Sequence, residues 1–178
     1  MHHVIRLIAA ILVFAGTASA LAAQARAGVA DMTCSVPSSE VITFSPALTS
    51  APEETTISVT SEYGPCVSLS QPGITSGTAS FTTTAVRSCI GLLNASPSTR
   101  VITWNTGQIS TLSGSATVNI VGATLIATIT GNVTAGLFEG DSFVYTVAAP
   151  ATSILECTIG LGTVSSIGGL VDLEITSA

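Results

Sequence analysis

"GATLIATITGNVTAGLFEGDSFVYTV", residues 122–147, alternates apolar with hydroxyl residues over most of its length. Leu125, Ala127, Ile129 and Val133 fall on one parity, and Thr124, Thr128 and Thr130 on the other. A period of two marks a strand with one face in a core and one in water, because successive side chains of extended backbone point to opposite faces. Threonine suits such a strand, since its branched β-carbon fits a pleated surface. The stretch contains no His, Lys or Arg, so it reads as scaffold: two core strands and their connection.

The same period extends to both sides. "SATVNI" places Ala116, Val118 and Ile120 on one face, and Val121-Gly122-Ala123 then reads as a tight hairpin connection. "TTISVTSEY" does the same with Ile57, Val59 and Tyr63. "LVDLEIT" opposes Val171, Leu173 and Ile175 to Asp172 and Glu174. Shorter candidates stand at 41–44, 74–84, 101–104 and 143–147, separated by Gly, Pro, Ser and Asn turn signals. About eight strands result, and no stretch beyond the leader sustains a helical period. One helical turn is predicted within 86–94, beside Cys89. The expected fold is all-β: an antiparallel β-sandwich of immunoglobulin-like form, or a barrel.

The first residues have another purpose. Arg6 precedes an apolar run from Leu7 to about Ala23, followed by small-x-small triplets such as Ala25-Arg26-Ala27. That layout predicts a signal peptide over 1–27 and one secreted domain over 28–178. The run is marginal for a membrane span and is diluted by Gly16, Thr17 and Ser19, so no membrane association is expected after cleavage. Beyond residue 27 the cations are Arg87 and Arg100, against ten acids, a net charge of −8 (2 minus 10). Such a chain has no electrostatic means of holding a phosphate backbone, which removes nucleic acid from the expected partners.

Cys34, Cys66, Cys89 and Cys157 all follow the predicted cut, and an even count in an exported chain reads as disulfides. Three pairings are open. Cys34–Cys66 with Cys89–Cys157 is favoured, since the first two flank the opening strands and the last two lie in loop-like segments. No short Cys-x-x-Cys spacing or nearby histidine suggests zinc.

Both histidines, His2 and His3, lie in the leader, and lysine is absent. The usual bases for activating a serine or cysteine nucleophile are therefore missing, and no cofactor or metal is expected. Carboxylates remain. Glu139 and Asp141 flank Gly140 in a turn that suits a calcium ligand pair or, at the right spacing, glycosidic chemistry. Trp104 is either a core anchor or a surface on which a sugar or partner stacks. Trp104, Glu139 and Asp141 are the candidate ligand contacts.

"YGPCVS", "SCIGLL", "ITWNTGQIST", "GNVTAGLFEGDSF" and "ILECTIGLG" give the chain a likeness over most of residues 34–176. It resembles small secreted four-cysteine β-proteins of high-GC Gram-positive bacteria, whose function is largely uncharacterised. The motifs that carry the likeness are Trp104–Gly107 and "GLFEG" at 136–140. The resemblance implies an exported, disulfide-bonded β-fold and assigns no catalytic residue. The expected function is a non-enzymatic binding or structural module of the cell envelope or extracellular medium, its partner an extracellular protein or glycan. The alternatives are a protease inhibitor presenting a disulfide-braced loop and a carbohydrate-active enzyme built on Glu139 and Asp141.

Overall fold

Each alternating segment forms a strand, and the strands close on one another. The computed structural model describes residues 29–178, so the leader read at 1–27 lies outside the described residues. The strands are β1 (Ala30–Cys34), β2 (Ser39–Leu48), β3 (Glu53–Tyr63), β4 (Cys66–Ser68), β5 (Gly77–Arg87), β6 (Ser96–Trp104), β7 (Ile109–Val121), β8 (Thr124–Gly136), β9 (Ser142–Pro150) and β10 (Val164–Thr176). A seven-residue helix, α1 (Thr152–Thr158), joins β9 to β10.

Eight strands run β2-β3-β5-β6-β7-β8-β9-β10, and β10 pairs back to β2 through Ser166–Leu170 against Thr43–Ser39. All pairings are antiparallel. Of the two architectures expected, the barrel is therefore the one adopted. An immunoglobulin-like sandwich needs two separate sheets, and the β2–β10 ladder joins the edges into one. The strand count also rises from about eight to ten: β1 pairs with the C-terminal half of β10 and β4 pairs with β1. These two were missed because neither is long enough to establish a period. β7 and β8 are joined by the two residues Gly122-Ala123, since Val121 pairs with Thr124.

The inward rows are those the alternation picks out. Leu112, Leu125, Ile129, Val133, Val171, Leu173 and Ile175 are buried, while Asp172 and Glu174 face water. Two buried clusters fill opposite ends. One gathers Trp104, Tyr145, Tyr63, Ile102, Leu112 and Leu173; the other gathers Phe44, Leu48, Leu125, Val164 and Ile154 of α1. α1 closes the second end with Ile154 and Cys157, a contact pair too short to read as a helical period in sequence. The expected turn near Cys89 is a 3-10 turn at Ile90–Leu93.

Both favoured disulfides form. Cys34–Cys66 bridges register partners of β1 and β4, and Cys89–Cys157 ties the β5–β6 connection to α1. Their sequence separations, 32 and 68, each correspond to about 4 kcal/mol of restricted unfolded chain in the chain-entropy view. No helix among the described residues is long and apolar enough to cross a membrane.

Candidate functional site

The barrel wall is continuous except at one seam. β5 and β6 pair only at Gly77–Trp104 and Thr78–Thr103, whereas β3 and β5 pair over eleven positions. The close approach at Gly77 sets where the pairing can occur. A β-carbon there would meet Trp104 Cε3 at 2.7 Å and Ile102 Cγ2 at 3.0 Å. Beyond Thr78 the strands part, and the connection between them is drawn toward α1 by Cys89–Cys157. The inward row of β5 then loses its cover: Phe81 is 37% exposed and Thr83 is exposed.

Behind this slot lies a cavity of about 210 Å³ between the two core clusters. Its walls are Ile42, Val59, Phe81, Leu92, Val118, Leu125, Ile129, Val147 and Ile167, with the small Ala116 and Ala127 leaving the middle unfilled. A second space of about 230 Å³ lies along the slot outside, and Ile42, Val59, Phe81, Leu92 and Ser98 border both. The lumen thus continues to the surface. Leu92, carried by the 3-10 turn, stands at the mouth, and Arg87 borders the outer space.

Two charged residues also line the lumen: Glu40 and Arg100, 4% and 6% exposed. Glu40 Oε2 accepts from Arg100 Nη1 at 2.6 Å, Tyr145 Oη at 2.7 Å and Ser61 Oγ at 2.8 Å. Arg100 Nη1 also lies 3.1 Å from Tyr63 Oη and 3.2 Å from Ser61 Oγ. The guanidinium stacks on the Tyr145 ring, its Cζ 4.0 Å from the centroid, a cation–π contact away from bulk water. A buried ion pair survives only when its remaining lone pairs and protons find partners, and this carboxylate oxygen has three donors. Burial raises the Tyr145 pKa well above the tyrosine range, the neighbouring Tyr63 and Glu40 oxygens reinforce the effect, and the phenol keeps its proton. For Arg100, burial pulls the pKa down, but Tyr63, Tyr145 and Glu40 more than offset it, and the guanidinium stays charged.

Only Nη1 of Arg100 makes hydrogen bonds among the described residues. No buried side-chain nitrogen or oxygen among them is both enclosed and partnerless. Its Nε and Nη2 therefore keep accessible surface, and the space that Arg100 borders is the lumen.

None of the three candidate contacts named from sequence belongs to this site. Trp104 is 2% exposed at the closed end; its Nε1 donates to Ser110 Oγ at 2.8 Å, and Ser110 Oγ donates to the Leu137 carbonyl at 2.7 Å. Phe138 meets it edge-on, centroids 6.2 Å apart, from a backbone with φ 65°. The Trp104–Gly107 and "GLFEG" motifs therefore meet in one packing unit. In that turn a β-carbon on Gly136 would lie 2.2 Å from the Ile109 carbonyl oxygen, so glycine is required there. Glu139 is exposed, and Asp141 Oδ1 accepts from the Ala178 amide at 3.2 Å. No group of three or more His, Cys, Asp or Glu side chains fit to hold a metal occurs among the described residues.

Glu40, Ser61, Arg100 and Tyr145 were missed in the sequence, although a signal was present. Arg100 shares its parity with Ile102 and Trp104, Glu40 with Ile42 and Phe44, Ser61 with Val59 and Tyr63. A charge on the apolar face of a strand is the informative exception to the alternation. Compared with known proteins, the chain matches no family model, no curated protein and no solved structure.

Proposed function

We propose that this chain is an exported, non-enzymatic binding barrel whose lumen takes up a small, largely apolar molecule. The observation that carries the reading is the slot between β5 and β6, which leads into an apolar space with one buried polar cluster on its wall. Apolar concavity with a few convergent polar groups is what small-molecule sites share. Six of the seven described aromatics are buried, leaving Phe81, at the slot, as the exposed one. A small ligand at the slot therefore agrees better with the surface than a glycan laid along it. Export rests on the leader read at 1–27 and on two disulfides, which persist in oxidising surroundings. The likeness to secreted four-cysteine proteins of high-GC Gram-positive bacteria is part of the same proposal.

Titration of the oxidised protein with ethylbenzene, followed by methyl NMR, tests it. Saturable shifts confined to the methyls that line the lumen, those of Ile42, Val118, Ala127 and Ile129 among them, are expected. Unchanged lumen methyl signals up to the solubility limit of the probe would remove the reading.

A second reading has its own observation. Ile159 and Leu161 are 70% and 75% exposed on the segment that Cys89–Cys157 anchors, an apolar tip of the sort a protease inhibitor presents. Inhibition of an extracellular protease that is lost in Leu161→Asp would favour it; no inhibition across a protease panel would dispose of it.

A further inference from the structure

The unpaired edge of Arg100 also says what kind of molecule the lumen takes. This inference rests on the lumen reading above. Nε and Nη2 are donors only, so whatever meets them must accept a hydrogen bond. An apolar occupant would leave them unsatisfied in a closed space, at the cost of a desolvated charged donor. The occupant's acceptor is also constrained in charge. Glu40 already neutralises Arg100 at 2.6 Å, so a carboxylate seated there would place a second anion beside one guanidinium and leave net charge in an apolar space. A cation would face Arg100 directly. A neutral oxygen avoids both.

We infer that the lumen binds a neutral, compact, mainly apolar molecule carrying one acceptor oxygen — a ketone, ester or ether — with that oxygen on Arg100 and its hydrocarbon body against Ile42, Val118, Ala127 and Ile129. Glu40, Ser61 and Tyr63 engage Nη1, while Tyr145 donates to Glu40 and stacks on the guanidinium, so the group is held in place with its other edge free.

Three probes of similar shape separate this from its rivals: acetophenone, ethylbenzene and benzoate. Binding is read from the lumen methyl signals, and the contact with Arg100 from its side-chain Nε–Hε resonance. Acetophenone is expected to bind about tenfold tighter than ethylbenzene, the ratio of one hydrogen bond to a charged donor. It should also be the probe that moves the Arg100 resonance, and benzoate should bind more weakly than either. Equal affinity for acetophenone and ethylbenzene would overturn the inference while leaving the lumen reading intact. So would tightest binding of benzoate, whether on Arg100 or on Arg87 at the mouth. If none of the three bound, both readings would fall together. Because Arg100→Met alone leaves Glu40 unpaired, the variant to use is the double change E40Q/R100M. With the charged donor gone, it should bind ethylbenzene at least as tightly as the parent protein does and lose the preference for the ketone; a preference that survived would count against Arg100.

Discussion

Two halves of one barrel are built from the same alternating code and end in opposite states. At the Trp104 end, inward residues interlock: Trp104, Tyr63, Tyr145 and Phe138 sit edge-on or tilted at centroid distances of 6.1–6.4 Å, and the wall there is complete. Around the slot, inward residues of β2, β3, β7 and β8 stay half-buried: Ile42, Ile57, Val118 and Ala127. The residue types do not account for this, since isoleucine and valine line both. What differs is pairing. β5 and β6 meet for two register positions and then separate, and the small Ala116 and Ala127 stand where larger side chains would fill the interior. Closure of a barrel is thus a local property that a single short ladder can withhold.

The most damaging way to break the comparison is at the boundary between the halves. Arg100→Met strands the Glu40 carboxylate and is expected to cost about 3–5 kcal/mol in urea melts, whereas E40Q/R100M should recover much of that loss. Additive losses in the double variant would mean that the two groups are not coupled. Next comes a matched truncation. Leu112→Ala in the closed half should cost about 2–5 kcal/mol, because it leaves a cavity in packed surroundings. Val118→Ala, whose side chain already borders open space, should cost less than about 1 kcal/mol. Equal costs would mean that the lumen is as densely filled as the closed end.

This contrast also explains what could and could not be read in advance. The β class and the parities of β3, β7, β8 and β10 follow from local alternation, which a chain shows without its neighbours; the disulfide pairing is favoured only by where the cysteines lie, and it is the one formed. Closure does not: it depends on β10 meeting β2 more than a hundred residues earlier. α1 gave no period because seven residues make barely two turns. The site lay deeper still. Trp104, Glu139 and Asp141 drew notice as isolated chemical types, yet one is a core anchor and two flank a turn. Glu40 and Arg100 lie sixty positions apart and each looks like an ordinary surface charge. Only their parity, each beside isoleucine and an aromatic on the inward row, distinguished them.

Alkaline pH should act at the same boundary with a smaller effect. Burial holds the Tyr145 pKa above the ordinary tyrosine value of about 10, so above that pH the unfolded chain releases a proton that the folded chain keeps. The unfolded state then binds fewer protons, and stability must fall as pH rises. The contribution is whole below about pH 10 and declines above it by up to about 1.4 kcal/mol per pH unit for this one group. Urea melts between pH 9 and 11 should show the decline, with the matching tyrosinate absorbance appearing only on unfolding. Tyr145→Phe should flatten that slope; an unchanged slope would exclude Tyr145 as its source.

The smallest expected effect is the sharpest discriminator. Ala127→Leu adds three carbons beside the lumen, where there is space to receive them, and should change stability by less than about 1 kcal/mol in either direction. The same enlargement at Ala79, buried with the closed-end cluster, has nowhere to go and should cost about 1–3 kcal/mol through displaced neighbours. The pair asks whether the interior is one uniform core or two. Ala127→Leu should also abolish ethylbenzene binding while leaving the melt almost unmoved, since it occupies the space that the probe would take. A large destabilisation at Ala127 would show that the gap between the clusters is a tight seam, and the slot would then be a surface groove without an interior behind it.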